Sequence, residues 1–324
     1  MGIKVLMVPQ ASLDINGGIW RHCENLYDLL RDTEISIIPL KRLKVKCLAV
    51  FRKAYYSNKE LYYCIKKSGC DVVHVHGFMA FSPIQTIVIS KLLRKKVIYS
   101  PHFHPFEYLE HPFLGKCFFY LFIKPLLKGV SQIVTISSRD TEFFLKYHSN
   151  VIKIPHNYRT FPEIIPPIAS RKKNMILFVG RNESNKGMDY LYQIPQEYEV
   201  HCVTRGGLKR SDFVKHENIT ETELRNLYES SSLVVIPSRY EAFSYVALEA
   251  LSYGTPIVVS DRVEIVDYLK ESQSYSVFSY GNVVDFLSKI ESTIGKFVDR
   301  DTLLYPFKPD NVREKYIKLF KMID

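Results

Sequence analysis

SRYEAFSYVALEALSYGTP, residues 238–256, is the stretch that decides how this chain folds. The apolar run Leu233–Ile236 in front of it is typical of a buried parallel strand. A helix of about three turns is predicted to begin near Phe243 or Ser244, with small apolar residues on its packing face. Gly254 occupies the place of a left-handed C-terminal cap, and a proline two residues later prevents the helix from continuing. The apolar run after that proline supplies the next buried strand.

Two carboxylates bracket the start of this helix. Glu241 precedes the first turn, and Glu249 lies within the helix, where its side chain leans back toward the N-terminus. The N–H groups of a first helical turn favour an anion. This layout predicts a site for phosphate and sugar groups. The alternative is that Glu249 belongs to an internal salt bridge, since a carboxylate in an apolar helix requires a partner.

Length and composition limit the class of protein. A chain of 324 residues with 46% apolar residues favours two globular domains of about 150 residues each. No stretch approaches the roughly 20 apolar residues of a membrane-spanning helix, and Met1 leads directly into a strand-like run without a signal-peptide pattern. Six scattered cysteines without a Cys-x-x-Cys pair argue against a disulfide framework and a zinc cluster. We therefore expect a cytoplasmic protein.

Positive charge is concentrated in the first half of the chain. Residues 1–160 contain 23 lysines and arginines against 11 acidic residues, whereas the rest contains 21 against 23. A basic surface of this kind suits nucleic acid, an anionic membrane or an acidic substrate, or is merely a soluble surface. No recognition-helix motif or aromatic platform is present, so nucleic acid is not expected. The basic stretch 41–53 and the aromatic run Phe118–Tyr120 predict peripheral contact with an anionic membrane, against the alternatives of a plain basic loop and a buried core helix.

Buried strands alternate with helices through both halves of the chain, which indicates two doubly wound Rossmann-like α/β domains facing across a cleft. The predicted first domain is 1–158, a proline-rich linker is 159–174, and the second domain is 175–305. Residues 306–324 form a C-terminal helix that can pack back toward the first domain. Ligands are expected in the cleft, at the C-terminal ends of the strands.

A glycine-containing loop follows the first strand of each half. Gly17 and Gly18 open a helix, and they permit close approach of the backbone to a ligand or simply form a tight turn. In the second half Gly180 is followed by Arg181 and Lys186 on one loop. A guanidinium fork and a lysine ammonium both suit a diphosphate. The alternative for either cation is solvated surface charge.

Histidines follow two neighbouring strands of the first half. His74 and His76 alternate along a strand and are expected to face opposite sides of the sheet, with His74 in the core and His76 toward the cleft. His102 and His104 follow the next strand. Zinc sites commonly include a carboxylate or thiolate, so a histidine that moves a proton or hydrogen-bonds a substrate is favoured, and no metal is predicted.

The chain resembles a retaining glycosyltransferase of the two-domain GT-B kind, specifically glycosyltransferase family 4, over nearly its whole length. The resemblance depends most on Glu241-x7-Glu249 followed by Gly254-Thr255-Pro256, together with the two glycine-containing loops and the strand that carries His74 and His76. It implies a metal-independent hexosyltransferase without a cofactor. The reaction would move a sugar from a UDP- or GDP-linked donor to a glycan or lipid-linked acceptor, in cell-surface polysaccharide or glycolipid synthesis.

The resemblance also implies roles for individual residues. The catalytic group would be Glu241, His102, Arg181 and Lys186. The donor would be bound by Gly180, Arg181, Lys186, Phe243, Ser244, Tyr245, Val246 and Glu249. The acceptor would be bound by Gly17, Gly18, His76, His102 and His104.

The chain departs from the family pattern at Ser244, where the family has glycine, and in the shortened loop 261–264. Two alternatives therefore remain open: a nucleotide-sugar-binding protein without turnover, and a sugar-nucleotide epimerase of the same fold. Transfer assays with labelled nucleotide sugars, with and without an acceptor, distinguish them.

Overall fold

The structure is a computed structural model, which describes residues 2–11, 18–39, 43–48, 53–103, 105–109, 111–158 and 170–323. The chain divides into two compact units. The first contains Met1–Arg159 and Phe307–Asp324, and the second contains Thr160–Pro306. The first unit therefore takes the last helix of the chain.

The strands and helices alternate along the sequence. The strands are β1 (Lys4–Val8), β2 (Ser36–Pro39), β3 (Val45–Leu48), β4 (Lys53–Tyr56), β5 (Val72–His76), β6 (Lys96–Ser100), β7 (Gln132–Thr135), β8 (Val151–Lys153), β9 (Met175–Val179), β10 (Glu199–Val203), β11 (Val214–His216), β12 (Leu233–Ile236), β13 (Ile257–Ser260) and β14 (Tyr275–Phe278). The α-helices are α1 (Gly18–Leu30), α2 (Asn58–Lys67), α3 (Phe81–Leu92), α4 (Pro112–Phe118), α5 (Lys124–Leu127), α6 (Ser138–Leu145), α7 (Met188–Leu191), α8 (Glu221–Ser230), α9 (Tyr245–Ser252), α10 (Val283–Thr293), α11 (Arg300–Leu304) and α12 (Pro309–Ile323).

The first unit is built on a parallel sheet with the order β2-β1-β5-β6-β7-β8. Strand β5 is buried along its whole length, because both faces of the sheet are covered. Helix α12 contributes to the cover of one face through an apolar stripe that includes Val312, Tyr316 and Phe320. Ser137 begins α6 by accepting a hydrogen bond from the Asp140 amide.

The second unit has a six-stranded parallel sheet with the order β11-β10-β9-β12-β13-β14. The strand order reverses between β9 and β12, and ligands bind at such switch points in open α/β sheets. The predicted doubly wound α/β architecture of both halves is confirmed.

Strands β3 and β4 form an antiparallel hairpin outside the main sheet. The predicted basic stretch 41–53 thus includes strand β3 and the start of β4, while residues 41, 42 and 49–52 lie outside the described part of the chain. Within the described ranges, none of the helices has both the length and the apolarity needed to cross a bilayer.

Arg171 organises the interior of the second unit. Its guanidinium is buried and donates to the carbonyls of Tyr228, Ser231 and Tyr253, and to the Thr255 hydroxyl. Burial lowers the pKa of this guanidinium. Its hydrogen bonds satisfy these three carbonyl oxygens and the hydroxyl oxygen. Hydrogen bonds to a charged donor contribute about 1.5–3 kcal/mol each, and acceptors left buried without partners add to the loss.

We expect Arg171→Met to lower the free energy of unfolding by about 3–5 kcal/mol, measured by urea denaturation. Arg225→Met is the matched control, because Arg225 forms an exposed i,i+4 pair with Glu229 and should cost less than about 1 kcal/mol. Equal losses in the two variants would contradict this role for Arg171.

Candidate active site

The loops that follow β9 and β12 meet at the switch point of the second sheet. The first loop contains Gly180, Arg181 and Lys186, and the second contains Ser238 and Glu241. The backbone fixes their register, since the Arg239 amide donates to the Asn185 carbonyl at 2.8 Å. The topology therefore places a cation and a carboxylate at the expected edge of the sheet.

Lys186 and Glu241 form an ion pair. The Lys186 Nζ lies 2.7 Å from Glu241 Oε1, and the Ser238 hydroxyl donates to the same oxygen at 2.6 Å. The two side chains are 22% and 11% exposed, so this pair is screened less than a surface pair. The carboxylate therefore compensates the charge of the lysine.

Gly187 allows the two loops to approach each other. Its φ is 70°, in the left-handed region, and a Cβ atom at this position would collide with the Pro237 carbonyl oxygen. Only glycine satisfies both conditions without strain. The position of Lys186 thus depends on the residue that follows it.

Arg181 is in a different environment from Lys186. Its guanidinium is 74% exposed and lies 3.0 Å from the Glu183 carboxylate. Gly180 donates its amide hydrogen to the Val203 carbonyl, and a Cβ atom at this position would lie 3.0 Å from Phe178 Cζ. The structure therefore brings Lys186, but not Arg181, to Glu241.

Ser244 is the N-cap of α9. Its hydroxyl accepts from the Ala247 amide at 3.3 Å, and its backbone is extended, with φ −115° and ψ 106°. Any residue adopts this conformation, so glycine is not required here. The helix begins at the predicted place but has about two turns rather than three. Phe243 and Tyr245 flank the cap with their rings edge to face, and Val246 is half-buried.

Glu249 is buried in the second turn of α9, where its carboxylate accepts a hydrogen bond from the Tyr228 hydroxyl at 2.9 Å. The sequence predicted a partner for this group, and the Tyr228 hydroxyl is one. The proposed contact of Glu249 with a ribose stays a prediction.

The first unit contains a cluster of five buried or half-buried imidazoles at the C-terminal edge of its sheet. We call it the histidine cluster; its members are His22, His74, His76, His102 and His156. It lies at the second switch point, where β1 and β5 are neighbours and the strand order reverses.

The prediction that His74 and His76 face opposite sides of the sheet is wrong. Their ring centroids are 4.1 Å apart, on the same face, because residues i and i+2 of a strand share a face. His74 is a core residue, as expected: it is fully buried and packs near Phe320. Its Nε2 forms a hydrogen bond with Ser100 Oγ at 2.8 Å. His76 is equally buried.

His22 and His156 were not predicted as site residues. His22 lies on the buried face of α1 and stacks on His156 at 3.9 Å. No local pattern brings them together, because the contact joins positions far apart in sequence. Of the predicted acceptor residues, Gly17 and His104 lie outside the described residues. Gly18 begins α1, and the space that a Cβ atom would occupy there is open.

Burial determines the protonation of the histidine cluster. It lowers the pKa of His74 to about 3 and that of His102 to about 4. Burial, reinforced by the neighbouring imidazoles, also lowers the pKa values of His22, His76 and His156 well below the ordinary value. The folded cluster is therefore neutral at pH 7.

This shift predicts a stability loss in mild acid. Below about pH 6.5 the unfolded histidines bind protons that the folded ones do not, so stability is full above that pH and decreases as the pH falls toward the folded values. Each titrating histidine contributes about 1.4 kcal/mol per pH unit. Urea unfolding between pH 7 and 5, with a chelator present, can be followed by the fluorescence of Trp20, the single tryptophan, which lies in α1. A constant free energy of unfolding over this range would contradict the buried neutral cluster.

Comparison with known proteins adds a family match in the second unit. Residues 173–296 match the family model described as Glycosyl transferases group 1. An uncharacterized glycosyltransferase of Methanocaldococcus jannaschii is 24% identical over an alignment of 338 residues, which spans 93% of this chain and 91% of that protein. An uncharacterized 41.2 kDa protein in the cps region of Klebsiella pneumoniae is 22% identical and covers 79% of this chain and 80% of its own length.

Among solved structures, Anabaena HepE in complex with UDP and glucose aligns with a TM-score of 0.72 at 12% identity, over 98% of this chain and 99% of that chain. The likeness at this identity concerns the fold, and it is the fold of GT-B glycosyltransferases. The family match includes the region of Lys186 and Glu241. Together these findings support glycosyltransferase activity for this chain.

Proposed function

We propose that the protein is a retaining, metal-independent hexosyltransferase. It transfers a sugar from a UDP- or GDP-linked donor to a glycan or lipid-linked acceptor, in the synthesis of a cell-surface polysaccharide or glycolipid. The observation that carries the proposal is the Lys186–Glu241 pair at the switch point, beside the start of α9. The cps-region relative and the UDP-bound structural neighbour support the substrate class.

The chemistry follows from where charge develops. As the bond between the sugar and the diphosphate breaks, negative charge grows on the leaving phosphate, and preformed donors that face it stabilise the transition state. Lys186, Arg181 and the first-turn amides of α9 supply those donors. Glu241, released from Lys186 by the diphosphate, accepts hydrogen bonds from the sugar hydroxyls. Glu249 binds the ribose. The acceptor lies on the first unit near Gly17, Gly18, His76, His102 and His104, and His102 assists the departure of its proton.

Three measurements test the proposal. A thermal-shift panel of nucleoside diphosphates identifies the base, because a ligand that binds only the folded state raises its stability. Incubation with the labelled nucleotide sugar then reports product formation, and NMR of the product gives its anomeric configuration. Nucleotide binding without turnover would identify a binding protein, and conversion of the donor without an acceptor would identify an epimerase.

A peripheral membrane contact is part of the proposal. Exposed apolar side chains project from α4 and the π-helical turn Phe119–Ile123: Phe113, Leu114, Leu121 and Phe122 are 75%, 62%, 69% and 47% exposed. Lys116, Lys124 and Lys128 are exposed in the same segment. Within the predicted aromatic run, Phe119 instead belongs to the core. Exposed apolar residues alternating with lysines are typical of a surface that lies on anionic lipid.

We expect Leu121→Asp to weaken binding to anionic liposomes at least about tenfold in co-sedimentation, since burial of a leucine contributes roughly 1.5–3 kcal/mol. Val284→Asp is the control, because Val284 is 78% exposed on the second unit. Binding that is unchanged in Leu121→Asp, or independent of anionic lipid, would remove this part of the proposal.

A further inference from the structure

Three members of the histidine cluster surround one point. The ring centroids of His22, His76 and His102 are 5.5, 5.3 and 5.4 Å apart, which makes a nearly equilateral triangle. One ring nitrogen from each lies within 4.8 Å of the other two, and His76 Nδ1 is already 3.2 Å from His102 Nε2. Nitrogen ligands of tetrahedral zinc stand about 3.4 Å apart, given bonds of about 2.05 Å. The nitrogens, now at most 4.8 Å apart, must move closer to reach that geometry.

Polar atoms at this point lack partners. Among the residues that the structure describes, His22 Nδ1 and His76 Nε2 are buried without a hydrogen bond. A buried polar atom without a partner is costly. A metal ion bound to His22 Nδ1 compensates the cost there, whereas His76 would bind through Nδ1, the atom 3.2 Å from His102 Nε2, and its Nε2 would gain no partner from the ion.

The backbone of His102 is strained in a way that supports a site. Its φ is 47°, in the left-handed region that non-glycine residues rarely adopt. The strain of about 1–2 kcal/mol is retained at the residue that completes the triangle. Neighbouring side chains fix the other two rings: His156 stacks on His22 at 3.9 Å, and His74 lies 4.1 Å from His76 and is itself bonded to Ser100. These ring contacts restrict the orientation of the two imidazoles.

We propose that His22, His76 and His102 form a binding site for one divalent transition-metal ion, with Zn²⁺ as the ion and Co²⁺ as its spectroscopic substitute. Three imidazoles with an open fourth position match the ligand set of zinc. Because the set has no oxygen ligand, it discriminates against Mg²⁺ and Ca²⁺. The site belongs to the first unit and supplies nothing to the donor site. It rests on the proposed function in one respect only: an ion on His102 would compete with the acceptor, so Zn²⁺ should inhibit transfer reversibly.

The test reads the metal directly. The full chain, purified without a polyhistidine tag and stripped with a chelator, is titrated with Co²⁺ while the visible absorption of four-coordinate cobalt is followed. We expect one equivalent to bind with that spectrum, Zn²⁺ to displace it and Mg²⁺ to leave it unchanged. Loss of a side chain that only hydrogen-bonds a metal ligand weakens metal affinity by about 10–100-fold. Loss of the ligand itself, in His22→Gln, should therefore weaken binding by at least about 100-fold. His111→Gln, at an exposed histidine of the same unit, should bind as the parent does.

A second variant covers the case in which His22→Gln fails to fold. His102→Asn removes the ligand and tolerates the left-handed backbone, so it should lose the cobalt spectrum and keep its circular dichroism. Cobalt bound equally by the parent and by His102→Asn, or no four-coordinate spectrum in the parent, would overturn the site. These readings need no substrate. Failure of the metal site is therefore distinct from failure of the transferase, which nucleotide binding and turnover report.

Discussion

The Lys186→Ala variant should lose transfer activity by about 10²–10³-fold in kcat/KM, the range seen when one preorganised donor at a developing charge is removed. Lys186 is the cation that the structure brings to the switch point, and its Nζ is held 2.7 Å from Glu241 Oε1. Initial rates with a saturating acceptor measure the effect. Lys186→Arg should recover part of the activity, because it keeps the charge but changes the shape of the donor.

Glu241 provides a matched comparison at the same pair. Glu241→Ala should lower kcat/KM by a similar factor. Its affinity for the nucleoside diphosphate should be retained or increased, because no carboxylate then competes for Lys186. Lys209→Ala is the control, since Lys209 is exposed and lies over the Tyr192 ring. If Lys186→Ala were as active as this control, or if both members of the pair changed nucleotide affinity in the same direction, the assigned roles would be wrong.

Gly187→Ala is the second variant for which we expect a large effect. The left-handed backbone costs an alanine roughly 1–2 kcal/mol, and its methyl group would also collide with the Pro237 carbonyl. The two loops must then separate, which moves Lys186 away from Glu241. We expect thermal unfolding of the second unit to begin at least about 3 °C lower, with a loss of activity comparable to that of Lys186→Ala.

Two other glycines separate the causes. Gly206 has a φ of 93°, and a Cβ atom there would meet only side-chain atoms of Asn182 at ordinary contact distances. Gly206→Ala therefore has the backbone strain but no collision with a carbonyl oxygen. Gly207 has neither, so Gly207→Ala should resemble the parent protein. We expect Gly207→Ala to be the most stable of the three variants, Gly206→Ala to be less stable, and Gly187→Ala to be the least stable. A Gly187→Ala protein as stable and active as Gly207→Ala would show that the loops do not depend on this contact.

The donor-side elements could be predicted because their signals are local. Strand β12 has the predicted bounds, Leu233–Ile236, since it is an apolar run ended by a proline. The start of α9 was predicted to within a residue or two from Ser244 and the helical pattern after it. The ion pair of Lys186 and Glu241 was not predicted, because it joins residues 55 positions apart through the order of the strands.

The histidine cluster shows why the rest could not be predicted. His76 and His102 could be recognised from their places after strands, but His22 lies within a helix and His156 in the segment after β8. Only the order of the strands in the parallel sheet, from β1 and β5 through β6 and β7 to β8, brings these positions to one edge. The hairpin of β3 and β4 was missed for a different reason: each strand has only four residues, too few to show a clear alternation of apolar and polar side chains.

The return of α12 to the first unit has a consequence for biosynthesis. Tyr316 and Phe320 pack beside His74, so part of one face of the first sheet is covered by the final 15-residue helix. A ribosome synthesises that helix after it has synthesised the whole second unit. The first unit therefore waits through the synthesis of roughly half of the chain with apolar surface uncovered, a condition that favours chaperone binding. Nascent chains arrested before residue 309 should be captured by chaperones, whereas chains that have released the last helix should not.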